Sequence, residues 1–324
     1  MSSPLFIDAR AVAAALPWGR LIDALWSAFR NADDTTVPQR LHYSLRDPSE
    51  QPAVLLLMPA WHASLGVGTK LMSVFPGNAR LGLPSVQGLY VLMDPRNGRP
   101  LAVLDGGELT ARRTAAASAL ASRYLSRPDS RCLLMVGTGR LARHLPLAHA
   151  QTRPIERVLV WGRSALQAEA TAQALTAQGL RAQAVRSLAE AVPQADIVSC
   201  ATLAAEPLVR GEWLRPGTHL DLVGAFTPAM HETDTRVFAR ADAVWCDTRE
   251  GVLSEAGDLL LAIAAGSFSP DRITGDLARL CRGHVAARTD AAHITVFKSV
   301  GMALEDLAAA RLVVDNHTTD TATP

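Results

Sequence analysis

The chain has 324 residues, with 32 Lys+Arg against 31 Asp+Glu, and is 48% hydrophobic and 19% charged. At roughly 100–200 residues per domain, that length predicts about two domains with ample core. The composition excludes a disordered or fibrous chain. A formal net charge of +1 gives no support to nucleic acid or an anionic membrane as the main partner.

The four cysteines, Cys132, Cys200, Cys246 and Cys281, form no CxxC pair and have no metal-ligand spacing, so neither a disulfide framework nor a metal site is expected. Asp8 and Arg10 interrupt any apolar leader, and no apolar run approaches the length of a membrane span. A cytoplasmic, metal-free protein is the expectation. Thirty of the basic residues are Arg; Lys70 and Lys298 are the only lysines. Where Arg is so strongly favoured, a Lys marks a place where the choice of cation can matter.

In chain order, Asp8 can cap a helix over 9–16, and Pro17 suits the first turn of the next. There Leu21, Ile22, Leu25, Trp26 and Phe29 recur at helical spacing. After a turn-rich stretch at 31–38, strand-like runs are expected at 53–58, 67–75, 85–93 and 101–104, separated by turn signals. Consecutive strands without intervening helices predict an antiparallel or mixed sheet. An Ala-rich helix over 109–125 follows. From 131 the pattern alternates: strands at 132–136, 158–161, 182–185, 197–201, 218–223 and 243–246, with helices at 140–151 and 165–178. That alternation predicts a doubly wound parallel sheet of Rossmann type. A helix over 299–313 and a polar tail, 315–324, close the chain. The expected class is α/β, a Rossmann domain over 126–299 and an α+β domain from 1–125 with 300–324.

Gly137-Thr138-Gly139-Arg140-Leu141-Ala142 follows an apolar strand and opens a predicted helix, the G-x-G-x-x-A form of a dinucleotide-binding turn. Its bland alternative is a glycine-rich turn and nothing more. The acidic residue that grips an NAD ribose is expected about 20 residues later. Trp161-Gly162-Arg163-Ser164 stands there without a carboxylate. Arg163 and Ser164 offer a cation and a hydroxyl for a 2′-phosphate, favouring NADP(H) with NAD(H) open. They also read as a surface Arg and a helix cap.

Lys70 lies within an apolar strand, where an unpaired ammonium is costly. Arg112 and Arg113 fall in the first turn of the helix predicted at 109–125, opposed to its dipole unless an anion is near. With Arg40 these cations suit a small carboxylate held between the domains; solvated or salt-bridged cations are the alternative.

Gly68-Thr69-Lys70-Leu71-Met72-Ser73-Val74-Phe75-Pro76-Gly77-Asn78, Leu109-Thr110-Ala111-Arg112-Arg113-Thr114-Ala115-Ala116, Gly137-Thr138-Gly139, Glu255-Ala256-Gly257-Asp258 and the segment Phe297-Lys298-Ser299-Val300-Gly301-Met302-Ala303-Leu304-Glu305-Asp306 together resemble the ornithine cyclodeaminase/mu-crystallin family. The matches keep the family's order. The resemblance implies a homodimer, a substrate-binding and dimerisation domain built from both chain ends, and a Rossmann domain. It implies that Arg40, Lys70 and Arg113 bind the substrate carboxylate, with Lys70 the catalytic candidate. It places Arg113, Ser85, Thr202, Val223, Gly224, Ala225 and Ser299 at the cofactor, alongside the turn Gly137, Thr138, Gly139, Arg140 and Leu141 and the pair Arg163 and Ser164 already read there.

Ala225 stands where the family's cyclodeaminases carry a catalytic Asp, and it can neither accept nor donate a proton. The segment is more similar to the ketimine reductase branch, as is Leu57-Met58-Pro59-Ala60-Trp61. The implied activity is NAD(P)H-dependent reduction of Δ1-pyrroline-2-carboxylate to L-proline, with Δ1-piperideine-2-carboxylate as a second substrate. An open-chain amino acid dehydrogenase, a cyclodeaminase and a non-catalytic NADPH-binding protein are the alternatives. His42 reads as a surface or structural residue. His231 and Glu232 read as the start of a solvated helix, and Glu255 and Asp258 as helix N-terminal charge. Trp61 reads as core packing, with cover over the substrate pocket as the alternative.

Overall fold

The structure, a computed structural model, describes residues 3–45, 53–283 and 287–320. It divides into two compact units, Met1–Arg113 with Met302–Pro324, and Thr114–Gly301.

In the first unit, β1 (Leu5–Ile7), β2 (Thr35–Thr36), β3 (Leu41–Leu45), β4 (Ala53–His62), β5 (Gly66–Val74), β6 (Val86–Met93) and β7 (Pro100–Asp105) form one sheet in the order β1-β7-β6-β5-β4-β2, with β3 also on β4. Only β1 and β7 run parallel, so the sheet is mixed as the strand runs predict. Helices α1 (Ala9–Ala15) and α2 (Trp18–Arg30), with the last helix, Ala303–Asp320, pack on its inner face. Asp8 caps α1 as expected, its Oδ1 accepting from Ala11 N at 2.8 Å. The strand period of two sends Met58, Lys70, Met72, Tyr90, Leu92 and Leu104 inward, all buried. The opposite face carries Phe6, Leu41, Tyr43, Trp61, Leu71 and Leu89, each more than a third exposed. Trp61, 43% exposed, is therefore not a core residue: its parity on β4 turns it away from the helices.

Helix α3 (Gly106–Leu125) leads into the second unit. There β8 (Cys132–Val136), β9 (Arg157–Trp161), β10 (Ala182–Ala184), β11 (Ile197–Cys200), β12 (His219–Leu222), β13 (Ala243–Cys246), β14 (Ile273–Asp276) and β15 (Thr295–Lys298) form a parallel sheet in the order β10-β9-β8-β11-β12-β15-β13-β14. This is the doubly wound Rossmann arrangement, whose strand order reverses between β8 and β11, the switch point where such sheets bind ligands. Its helices are α4 (Leu145–His149), α5 (Ala165–Thr176), α6 (Leu188–Ala191), α7 (Thr235–Arg240), α8 (Arg249–Glu255), α9 (Gly257–Ala264) and α10 (Leu277–Arg282).

Two helix expectations need correction. The helix predicted over 140–151 is a 3-10 turn, Arg140–Arg143, followed by α4, because Pro146 sits at the start of α4 and has no N–H for a continuous ladder. The last helix starts at Ala303, after β15 and a loop, and runs to Asp320, into the segment read as a polar tail. Residues 321–324 of that tail lie outside the described residues. Among the described residues no helix is long and apolar enough to cross a membrane.

Candidate active site

In the first unit the structure brings Lys70, from β5, and Arg113, from α3, to two acidic residues of the last helix. Lys70 Nζ lies 2.8 Å from Asp306 Oδ2. Arg113 donates from Nε to Asp306 Oδ1 at 2.8 Å and from Nη1 to Glu305 Oε2 at 2.5 Å. All four side chains are buried. Burial and the neighbouring Arg113 lower the Lys70 pKa to about 8, with Asp306 acting in the opposite sense. For Arg113 burial opposes the charge, but Asp306 and Glu305 outweigh it and raise the pKa. Two of the guanidinium's nitrogens are thus held by protein carboxylates, and Nη2 donates in neither bond. This arrangement fixes the plane of the guanidinium.

Arg40 directly precedes β3 and is partly buried. Arg112, one residue before Arg113, points elsewhere: it pairs with Glu108 at 2.8 Å, donates to Leu16 O and covers the Trp18 ring. Because α3 begins at Gly106, neither Arg lies in its first turn, and the (i, i+4) Glu108 answers the charge of Arg112. His42 is exposed on β3, as expected of a surface residue. Ser85 stands just before β6, its carbonyl accepting from Phe75 N at 2.8 Å.

In the second unit, Gly137 ends β8 with φ +128°, and a Cβ there would lie 2.6 Å from the Ala201 carbonyl. Glycine is required on both counts. A Cβ on Gly139 would meet nothing within 4 Å, so the loop Gly137-Thr138-Gly139-Arg140-Leu141 has open space beside it at the switch point. Those features fit a dinucleotide pyrophosphate. The 3-10 turn that follows, Arg140–Arg143, is short and supplies little dipole. Arg163 and Ser164 are exposed after β9, and Ser164 also caps α5, accepting from Gln167 N at 3.4 Å. Among the described residues no group of three or more His, Cys, Asp or Glu side chains could hold a metal.

Beyond β11 and β12 lie Thr202 and the turn Val223-Gly224-Ala225; Ser299 follows β15, its N–H donating to Leu222 O at 3.1 Å. Ala225 is the one non-glycine residue with positive φ among the described residues, at +52° and fully buried. That conformation costs an L-residue about 1–2 kcal/mol. The carboxyl of Glu232 lies against this turn. Its Oε1 accepts from Thr202 N at 2.6 Å and Thr202 Oγ1 at 2.8 Å, and a Cβ on Gly224 would lie 2.5 Å from the same oxygen. Asp258 accepts the backbone N–H groups of Glu232 and Thr233 at 2.6 and 2.9 Å. Lys298 Nζ donates to Gly224 O and lies 3.3 Å from Asp258 Oδ2. Burial, then the charge of Asp258, raises the Glu232 pKa to about 8.

Glu232 therefore does not open a solvated helix; it is fully buried, and α7 begins at Thr235. Asp258 does sit in the first turn of α9, but it is buried and anchors a neighbouring segment. The pairing of Glu305 and Asp306 with Lys70 and Arg113 was not separable in sequence from the placement of ordinary acidic residues at a helix start. The available signal was a buried Lys on an apolar strand, which demands a carboxylate from somewhere in the chain.

The sequence profile of the ornithine cyclodeaminase/mu-crystallin family matches residues 4–321. The Δ1-pyrroline-2-carboxylate reductase of Paracoccus denitrificans is 40% identical over 96% of this chain and 96% of its own. A solved structure of Thermococcus litoralis Δ1-pyrroline-2-carboxylate reductase, in complex with NADH and L-proline, superposes with a TM-score of 0.93 at 31% identity, covering 98% of each chain. An archaeal alanine dehydrogenase dimer with bound NAD gives a TM-score of 0.90 at 26% identity, over 98% of this chain and 97% of the other.

Proposed function

The chain belongs to the ornithine cyclodeaminase/mu-crystallin family, and we propose that it reduces Δ1-pyrroline-2-carboxylate to L-proline, with Δ1-piperideine-2-carboxylate, giving L-pipecolate, as a second substrate. The coarser activity is that of a nicotinamide-dependent oxidoreductase acting on C=N. The observation that carries the finer reading is the buried pair Lys70 and Arg113, oriented by Glu305 and Asp306, together with the absence of a titratable group at Ala225.

In this reading Arg113 Nη2, Lys70 and Arg40 take the substrate carboxylate. Arg113 and Lys70 supply orientation, which is worth most when the donors are already immobilised. The cyclic imine binds in its protonated form, so reduction consumes one hydride at the C=N carbon and needs no acid at position 225. Gly137, Thr138, Gly139, Arg140 and Leu141 would hold the dinucleotide phosphates, and Ser85, Arg113, Thr202, Val223, Gly224, Ala225 and Ser299 would line the rest of the cofactor. When bound, the reduced dinucleotide supplies the hydride. Arg163 and Ser164 take the 2′-phosphate, which favours NADP(H) while leaving NAD(H) usable. A cyclodeaminase would need a proton-handling group that Ala225 lacks.

The first unit is read as the substrate-binding and dimerisation domain. The outer face of its sheet carries Leu41, Tyr43, Trp61, Leu71 and Leu89 half-exposed, and a second copy of the chain is its proposed occupant. The alanine dehydrogenase relative is itself a dimer.

The test is kcat/KM over a panel: the two cyclic imines and pyruvate with ammonia, each with NADPH and NADH, and ornithine with NADP+ and NAD+. The cyclic imines should lead. Preference for pyruvate with ammonia would establish an open-chain amino acid dehydrogenase instead, and cofactor binding without turnover a binding protein.

A further inference from the structure

Lys298 is one of only two lysines in the chain, and the reading above gives it no task. Its side chain is fully buried at the end of β15, with its ammonium shared between Gly224 O and Asp258. Gly224 O belongs to the turn that also contains Ala225, whose left-handed backbone persists only if its surroundings hold it. Those surroundings can be named. Ala225 O accepts from Gly257 N at 3.3 Å, next to Asp258. Asp258 grips the backbone of Glu232, and the Glu232 carboxyl grips Thr202 from both its N–H and its hydroxyl. One connected set of contacts therefore runs from Lys298 to the loops that follow β11 and β12.

We propose that Lys298 is a positioning residue: through the Gly224 carbonyl and Asp258 it holds the strained Val223–Ala225 turn, and with it Thr202, in the shape that seats the nicotinamide half of the dinucleotide. The proposal rests on the reading that this turn lies at the nicotinamide. It also explains why a chain that otherwise uses Arg keeps a Lys here. A compact ammonium can serve a carbonyl and a carboxylate at one buried point, whereas a planar guanidinium spreads its donors over a wider fork. The remote part of the dinucleotide, held by the loop after β8, does not depend on Lys298.

The experiment compares the full-length parent with Lys298→Met and with Lys298→Met/Asp258→Asn. The double variant removes both buried charges yet keeps an oxygen to accept from Glu232 N and Thr233 N, so it folds even if the single variant does not. Three quantities are read: kcat with Δ1-pyrroline-2-carboxylate, the fluorescence of bound NADH, and the affinity for ADP-ribose, which lacks the nicotinamide. Expected are a fall in kcat of about tenfold or more, a loss of the bound-NADH fluorescence enhancement, and ADP-ribose affinity within about twofold of the parent. Parental kcat and fluorescence in both variants would overturn the proposal. So would a parallel loss of ADP-ribose affinity, which marks general disruption of the unit. If the parent itself leaves the imine unreduced, the substrate reading fails, while the NADH fluorescence against ADP-ribose comparison still decides the role of Lys298.

Discussion

Lys70 Nζ meets Asp306 Oδ2 at 2.8 Å, a pair that ties the central strand of one sheet to the last helix of the chain. Both groups are out of water and Asp306 is shared with Arg113, so removing either alone leaves the buried set of two cations and two carboxylates with an unbalanced charge. Lys70→Met should lower stability by about 3–5 kcal/mol, the cost of an uncompensated buried charge. Lys70→Met/Asp306→Leu should recover much of the loss in urea unfolding while leaving the variant inactive. Equal instability of the single and double variants would show that the pair is not what Lys70 contributes.

Glu232 gives a pH-dependent prediction with a definite sign. Its pKa rises from 4.5 to about 8 through burial and the neighbouring Asp258. Between those values the folded state binds a proton that the unfolded state has lost, so this group's contribution to stability falls as pH rises. Glu232→Gln, which cannot ionise, should match the parent's Tm near pH 4.5 and exceed it increasingly up to pH 8. A Tm difference independent of pH would contradict the assignment.

On the proposed reading, cofactor choice turns on Arg163 and Ser164. Arg163→Ala should reduce kcat/KM with NADPH by about tenfold while leaving NADH nearly unaffected. Because Ser164 also caps α5, Ser164→Ala mixes a stability loss of about 1 kcal/mol with any effect on the cofactor. Ser164→Asp keeps a capping acceptor and adds a negative charge, so it should disfavour NADPH alone. An unchanged NADPH to NADH ratio in Arg163→Ala would remove that residue from the 2′-phosphate.

The architecture was largely legible because each unit carries a strong local period. Cys132–Val136 and Ala243–Cys246 are apolar runs bounded by turns, and the Gly137 turn sits where the strand order reverses. The misread charges share one cause. Arg112, Glu232 and Asp258 look alike in sequence as charged residues near helix starts, yet one is held by its (i, i+4) neighbour and the other two lie in a buried cluster. Burial of a charge is decided by partners distant in the chain, and local spacing does not contain it. The division of 140–151 was visible in Pro146, whose missing N–H outweighs the helical pattern around it.

Self-association should depend on the outer face of the first unit's sheet. Leu71 and Leu89 are cross-strand neighbours there, 37% and 52% exposed. Leu71→Glu/Leu89→Glu places two like charges side by side on that face and should halve the mass found by light scattering, with secondary structure retained. A parental mass would move the dimer contact elsewhere.

The most direct test of the central claim is the fate of the transferred hydrogen. Cofactor deuterated at nicotinamide C4, incubated with Δ1-pyrroline-2-carboxylate, should yield L-proline carrying one deuterium at Cα, in step with cofactor oxidation and abolished by Arg113→Met. Cofactor oxidation without deuterated proline, or proline formed from ornithine with no net oxidation, would contradict a ketimine reductase.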